Sequence, residues 1–398
     1  MQKLISYYKT HTDKDPEGFV GVLFGLRFMM VFFVAQFHIW QQSWLTPTIE
    51  IFGARYSMDA LLRSGYMWVD GMLFLSAFLL YLPYAIAKEK GKPSPKALNF
   101  YKKRLVRIAP SYYLCVIIML FFSALPNNSY ASFEFLIKDL LAHLTFTHTL
   151  FPLSYYASPL NGALWTIGVQ MQFYLLFPLL ANGFKKRPLF TYVLMTGAAF
   201  LFRAYALSLK DSAMYFNQMP AFLDVFANGF LACSVYENLR RNLKETSLSK
   251  ILFSIIFFIC ALAFYYILKE QAAESGVFNI RQGQLKRRFV FSCLMMVLSV
   301  SLCFSLGGIR IIFSNRLARF LAGISYQFYM YHQVFAVFLK KVGIPPSKSP
   351  APHMAGEFSW QVLYVFLSIA GATIISAVLT YAFEKPISKM LLKKRNRV

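Results

Sequence analysis

In the first apolar stretch of the chain, Arg27 and His38 stand with ten residues between them, in Gly25-Leu26-Arg27 and Phe37-His38-Ile39-Trp40. An ionisable side chain at membrane depth costs at least ~2.5 to 3.5 kcal/mol, so two in one span call for a chemical reason. A neutral imidazole, with an ordinary pKa near ~6.5, can take the proton of a hydroxyl as that hydroxyl attacks a carbonyl. The arginine is a fixed cation suited to a phosphate or carboxylate. On a regular helix the two lie roughly 16 Å apart along the axis, too far to touch.

Other polar residues recur in later apolar runs. Asp70 could orient His38 and stabilise its imidazolium, as a carboxylate does in hydrolytic triads. It could equally cap or join helices. Lys103, Arg104 and Arg107, with Lys102, form a basic cluster before the third apolar run. Guanidinium groups bind phosphate oxygens bidentately, although basic residues also anchor any span at its inner edge. Trp165, Gln170 and Tyr174 share one loose helical face, and Gln170 could hold an acyl carbonyl or fix His38. Ser76 is a nucleophile in principle, but a serine amid apolar residues more often bonds its own helix backbone. Ser325, Tyr326 and His332 are packing or supporting groups. His11, His143, His148 and His353 fall in the N-terminal tail or outer loops, and no spacing of Cys, His or carboxylates suggests a metal site.

These residues need elements to position them, and composition says which. The 398 residues are 57% hydrophobic and 18% aromatic with only 15% charged, the balance of a polytopic membrane protein. Runs of about 20 apolar residues place helices near 19–42, 65–87, 108–125, 161–182, 188–208, 218–236, 251–268, 288–306, 319–339 and 360–382. Pro110 fits the first turn of the third and Pro188 starts the fifth. The expectation is an all-α fold of about ten transmembrane helices. It comprises an N-terminal tail 1–18, one membrane domain 19–386 and a basic C-terminal tail 387–398.

The net charge of +24 would suggest nucleic acid in a soluble protein. Here the basic residues sit in short loops, where they set orientation, and no nucleic-acid partner is expected. With the N-terminus cytoplasmic, inner segments hold 27 of the 41 Lys and Arg and outer segments 12, so both termini are expected inside. Lys286-Arg287-Arg288 fits this least, since it falls in an outer loop. At this orientation His38 lies about 10 Å toward the outside of its helix centre and Asp70 about 9 Å, so the two are expected to share a depth. The five cysteines, Cys115, Cys233, Cys260, Cys293 and Cys303, lie in apolar runs without paired spacing and read as core residues.

The order of the polar signatures carries more than any one of them. Arg27 and His38 are followed by Gly65-Tyr66-Met67-Trp68-Val69-Asp70, leading into Phe74-Leu75-Ser76-Ala77-Phe78-Leu79, and by Phe100-Tyr101-Lys102-Lys103-Arg104-Leu105-Val106-Arg107-Ile108-Ala109-Pro110. Next come Leu164-Trp165-Thr166-Ile167-Gly168-Val169-Gln170-Met171-Gln172-Phe173-Tyr174 and Phe222-Leu223-Asp224 through Asn228-Gly229. Ile324-Ser325-Tyr326-Gln327-Phe328-Tyr329-Met330-Tyr331-His332 and Tyr381-Ala382-Phe383-Glu384-Lys385-Pro386 close the series. Over nearly the whole chain this series resembles the acyltransferase 3 family of integral membrane acyltransferases.

The resemblance implies transfer of an acyl group, most often acetyl, from acyl-CoA at the cytoplasmic face. The acceptor it implies is a hydroxyl of a surface glycan such as lipopolysaccharide, exopolysaccharide or peptidoglycan; some members act on small glycosylated molecules. It implies an enzyme of the plasma (bacterial inner) membrane, with acetyl-CoA as donor substrate and no permanently bound cofactor. His38 is then general base or acyl carrier, Arg27 meets the donor, and Lys103, Arg104 and Arg107 meet the phosphates of coenzyme A. Two departures stand out: Gln170 where the family commonly has Glu, and Ser76-Ala77 where it has Ser-Gly. The extracellular hydrolase-like domain of some members has no counterpart here, so the chain works alone or with a separate partner outside the membrane. A transporter or flippase for lipid-linked sugars is the rival reading; it predicts broken helices at matching positions of two halves, and no such repeat is found.

Overall fold

The computed structural model describes residues 20–393 apart from 52, 210 and 211. The N-terminal tail 1–18, with His11, and residues 394–398 of the basic C-terminal tail lie outside the described residues.

A chain crossing lipid must satisfy every backbone donor and acceptor internally, and apolar runs do so as helices. Of the described residues, 81% are helical. The long helices are α1 (Gly21–Ser43), α2 (Trp68–Glu89), α3 (Ala97–Met119), α4 (Phe133–Leu144), α5 (Trp165–Lys186) and α6 (Pro188–Ser208). They continue with α7 (Leu223–Asn242), α8 (Ser247–Ala273), α9 (Val277–Phe304), α10 (Arg316–Lys341) and α11 (Phe358–Val378). Single π-helical stretches extend α3 over Leu120–Ala124 and α11 over Leu379–Glu384. Among the described residues nine helices are long and apolar enough to cross a membrane. The protein is an all-α, multi-pass membrane protein. The expected ninth span corresponds to α10, whose 26 residues would reach about 39 Å but which carries Arg316, Arg319, Lys340 and Lys341 at its ends and falls outside the nine.

Several boundaries differ from the sequence expectation for local reasons. α3 starts eleven residues before 108, so the basic cluster is helical and Pro110 sits in the helix interior rather than its first turn. Proline there leaves the Val106 carbonyl without its usual donor. The Ser388 hydroxyl supplies one at 3.3 Å. α9 likewise starts at Val277, after Gly276 at φ 80°, so Lys286, Arg287 and Arg288 are helical residues and not a loop. A short antiparallel hairpin, β1 (Thr48–Ile51) with β2 (Ala54–Ser57), follows α1 in the register Thr48↔Ser57 and Glu50↔Arg55.

The chain forms two compact units. Among the described residues, the first comprises 20–94, 184–196 and 224–325; the second comprises 95–183, 197–223 and 326–393. Within the first, Gly229 of α7 lies so close to α2 that a Cβ there would stand 2.6 Å from the Phe74 carbonyl oxygen and 2.7 Å from the Ala77 Cβ. Small residues on both sides let these backbones approach. Within the second, α3 packs on α5 through the Phe100 ring stacked on Phe177, 4.6 Å between centroids, and the Tyr101 hydroxyl donating to the Leu175 carbonyl at 2.9 Å. The five cysteines are free thiols, four of them buried and Cys293 half-buried.

Candidate active site

In the first unit, His38 is half-buried on α1 and its Nδ1 lies 3.1 Å from the Gln41 Oε1, one turn along. An amide oxygen only accepts, so this contact suits the tautomer with its proton on Nδ1. That is the tautomer a general base requires. Gln41, which the sequence reading passed over, is the orienting group; its only signal was the i, i+3 spacing.

Gln41 itself lines a cavity of about 470 Å³, with Phe37, Trp40, Arg63, Tyr66 and Gln271 among its other walls. Its size falls in the ~300–1,000 Å³ range of ligand sites. A polar chain stiffens the wall: Gln271 donates to the Tyr66 hydroxyl at 2.7 Å, while Arg287 donates to the Gln271 Oε1 at 2.8 Å and to Glu274 at 3.0 Å. Arg63 sits 5.9 Å from the Trp40 ring.

Of the roles its sequence left open, Asp70 takes that of joining helices. Its Oδ2 accepts from Arg288 Nε at 3.2 Å, with both side chains fully buried. The packing of α1 on α2 also corrects the expected common depth. A Cβ on Gly71 would abut the Met30 sulfur, and Trp68 stacks on Phe33 at 5.5 Å, whereas Phe37 meets Tyr66 at 5.0 Å. In that antiparallel register Asp70 stands level with Val31 to Phe33, about 7–10 Å along the axis from His38. Its carboxylate therefore anchors α9 to α2. Arg27 is half-buried further down α1. Ser76 donates to the Met72 carbonyl at 2.9 Å and Ser325 to the Ala322 carbonyl at 2.9 Å, both within their own helices.

The second unit holds the remaining candidates. Arg104 is half-buried, 5.9 Å over the Phe100 ring, with the Tyr174 hydroxyl in hydrogen-bonding reach; Lys103 and Arg107 are exposed beside it. The structure thus joins Arg104 to Tyr174. The Tyr326 hydroxyl donates to the Ile108 carbonyl at 3.1 Å, and its neighbour Gln327 bridges Ser111 at 2.7 Å and Glu384 at 2.9 Å. His332 is buried with Nδ1 3.0 Å from the Phe328 carbonyl of its own helix. Trp165 and Gln170 are half-buried on α5, Trp165 with its ring 6.1 Å from Phe222. Among the described residues no three His, Cys, Asp or Glu side chains gather as metal ligands.

This arrangement, a half-buried histidine in contact with a glutamine that lines a ligand-sized cavity within a bundle of membrane helices, meets a family whose description is an acyltransferase domain, matched over residues 23–381. The chain belongs to the acyltransferase 3 family. It is an acyltransferase of the membrane, and the match runs from α1 to the π-helical stretch after α11. No curated protein and no solved structure matches the chain.

Proposed function

We propose that this acyltransferase moves an acetyl group from cytoplasmic acetyl-CoA to a hydroxyl of a cell-surface glycan, with His38 as the base. The observation that carries the reading is the contact of His38 Nδ1 with Gln41, a side chain that lines the 470 Å³ cavity. The acceptor oxygen attacks the thioester carbonyl as its proton passes to Nε2; the carbon–sulfur bond breaks, and the imidazolium returns the proton to the departing thiolate. Lys103, Arg104 and Arg107 are the cations for the donor's phosphates, and Arg27 meets the donor within α1. The acceptor is a glycan such as lipopolysaccharide, exopolysaccharide or peptidoglycan. The membrane is the plasma membrane, with both termini in the cytoplasm, as the bias of Lys and Arg to the inner segments supports.

The test is purified protein with radiolabelled acetyl-CoA and each class of polysaccharide. Label in the glycan with release of free coenzyme A is the expected result. Label on a small glycosylated molecule alone would replace the acceptor, and neither thioester cleavage nor transfer would overturn the reading.

A further inference from the structure

The basic tail expected from residue 387 starts as a helix, α12 (Lys385–Lys393), directly after the π-helical stretch Leu379–Glu384. Its nine residues reach only about 14 Å, too short to cross a membrane. The segment before it, Phe358–Glu384, already reaches about 40 Å, beyond the ~30 Å of a hydrocarbon core, which leaves α12 at headgroup level. α12 docks on α3 through the Ser388 hydroxyl, which donates to the Val106 carbonyl at 3.3 Å. That contact sets it beside the turn of α3 that carries the exposed Lys103 and Arg107.

The faces of α12 divide by chemistry. At about 3.6 residues per turn, Lys385 and Lys389 share one face, while Ile387, Met390 and Leu391 lie toward the opposite one. All of these side chains are exposed except Ile387, which is half-buried. The charge is not neutralised locally. Among the described residues no carboxylate pairs with Lys385 or Lys389, and Lys385 Nζ stands over the Tyr381 ring, 3.9 Å from its centroid. Glu384, the adjacent acid, accepts from Gln327 at 2.9 Å instead. In the sequence, Lys385, Lys389, Lys393, Lys394, Arg395 and Arg397 follow one another with no Asp or Glu between them.

We infer that α12 is a docking surface for anionic phospholipid, with Lys385 and Lys389 taking the headgroup phosphate and Met390 and Leu391 entering the acyl boundary. Clusters of about 4–8 basic residues on an amphipathic helix beside a span attract anionic headgroups. A soluble phosphate ligand needs only the cations; the exposed apolar arc on the same short helix fits a lipid. The leaflet is the inner one in the proposed orientation, but the binding itself depends neither on that orientation nor on the acyl-transfer chemistry.

The experiment is native mass spectrometry of the delipidated full-length protein in a neutral detergent, titrated with phosphatidylglycerol or with phosphatidylcholine. The wild type binds phosphatidylglycerol at least tenfold more tightly than phosphatidylcholine. Lys385→Gln combined with Lys389→Gln lowers the phosphatidylglycerol affinity at least fivefold and leaves phosphatidylcholine unaffected, whereas Lys385→Arg with Lys389→Arg keeps wild-type binding. Equal binding of the two lipids by the wild type, undiminished phosphatidylglycerol binding by the glutamine variant, or its loss in the arginine variant overturns the inference. Displacement of bound phosphatidylglycerol by saturating coenzyme A would give these lysines to the donor's phosphates and overturn it as well.

Discussion

The His38 proton is committed to Gln41, and this makes a prediction about Gln41 itself. Gln41→Leu removes the acceptor at Nδ1, so the productive tautomer loses its stabilisation. A hydrogen bond of this kind is worth about 0.5–1.5 kcal/mol net. A fall of roughly threefold to tenfold in the turnover rate, with the Michaelis constant for acetyl-CoA unchanged, is the expected outcome of steady-state kinetics. At His148 the sign of a pH effect can be worked out. Burial, then the neighbouring His143, push its pKa down to about 3, with the Leu164 carbonyl and Asp139 opposing, and the Tyr112 hydroxyl 3.4 Å from Nδ1. Unfolded, it titrates near ~6.5, so its contribution to stability is complete above that pH and declines as pH falls toward 3. The depressed Asp139 value costs stability only below the ordinary carboxylate range, and above that range His353, whose value burial and Lys340 also lower, adds to the effect of His148. Thermal unfolding in detergent at pH 7.5 and 5 will show a drop for the wild type and a smaller one for His148→Phe.

The helices show what the sequence could and could not disclose. All ten apolar runs became helices because hydropathy is a local property, and His38, Arg27 and the basic cluster stood out because charge within such a run is conspicuous. Their partners were not legible. Asp70 and Arg288 are 218 positions apart, and nothing in Lys286-Arg287-Arg288 distinguishes a loop triplet from one helical residue facing a buried carboxylate. His143 and His148 likewise looked like loop residues until α4 and the turn at His148–Leu150 brought their rings into a stack. The Asp70–Arg288 pair makes a prediction at this scale. Arg288→Met strands a buried carboxylate and should cost about 3–5 kcal/mol. Asp70→Asn in the same chain should recover most of that loss, as read by thermal unfolding. Equal stability of Arg288→Met and the wild type would show that the pair does not hold α2 to α9.

For the molecule as a whole, the proposed orientation places the β1–β2 hairpin outside and the segment between α7 and α8 in the cytoplasm. In intact cells a membrane-impermeant maleimide should label Ser57→Cys and spare Glu245→Cys, both being exposed positions. The reverse pattern would invert the orientation and put His38 on the donor's side. In the proposed mechanism His38 is the base for acyl transfer, and a positioned base contributes typically ~10²–10⁴-fold to rate. The most direct measurement is glycan O-acetylation in cells that carry His38→Ala at wild-type membrane abundance. Acetylation is expected to fall to at most a hundredth of the wild-type level, and wild-type acetylation by that variant would show that His38 is not the base.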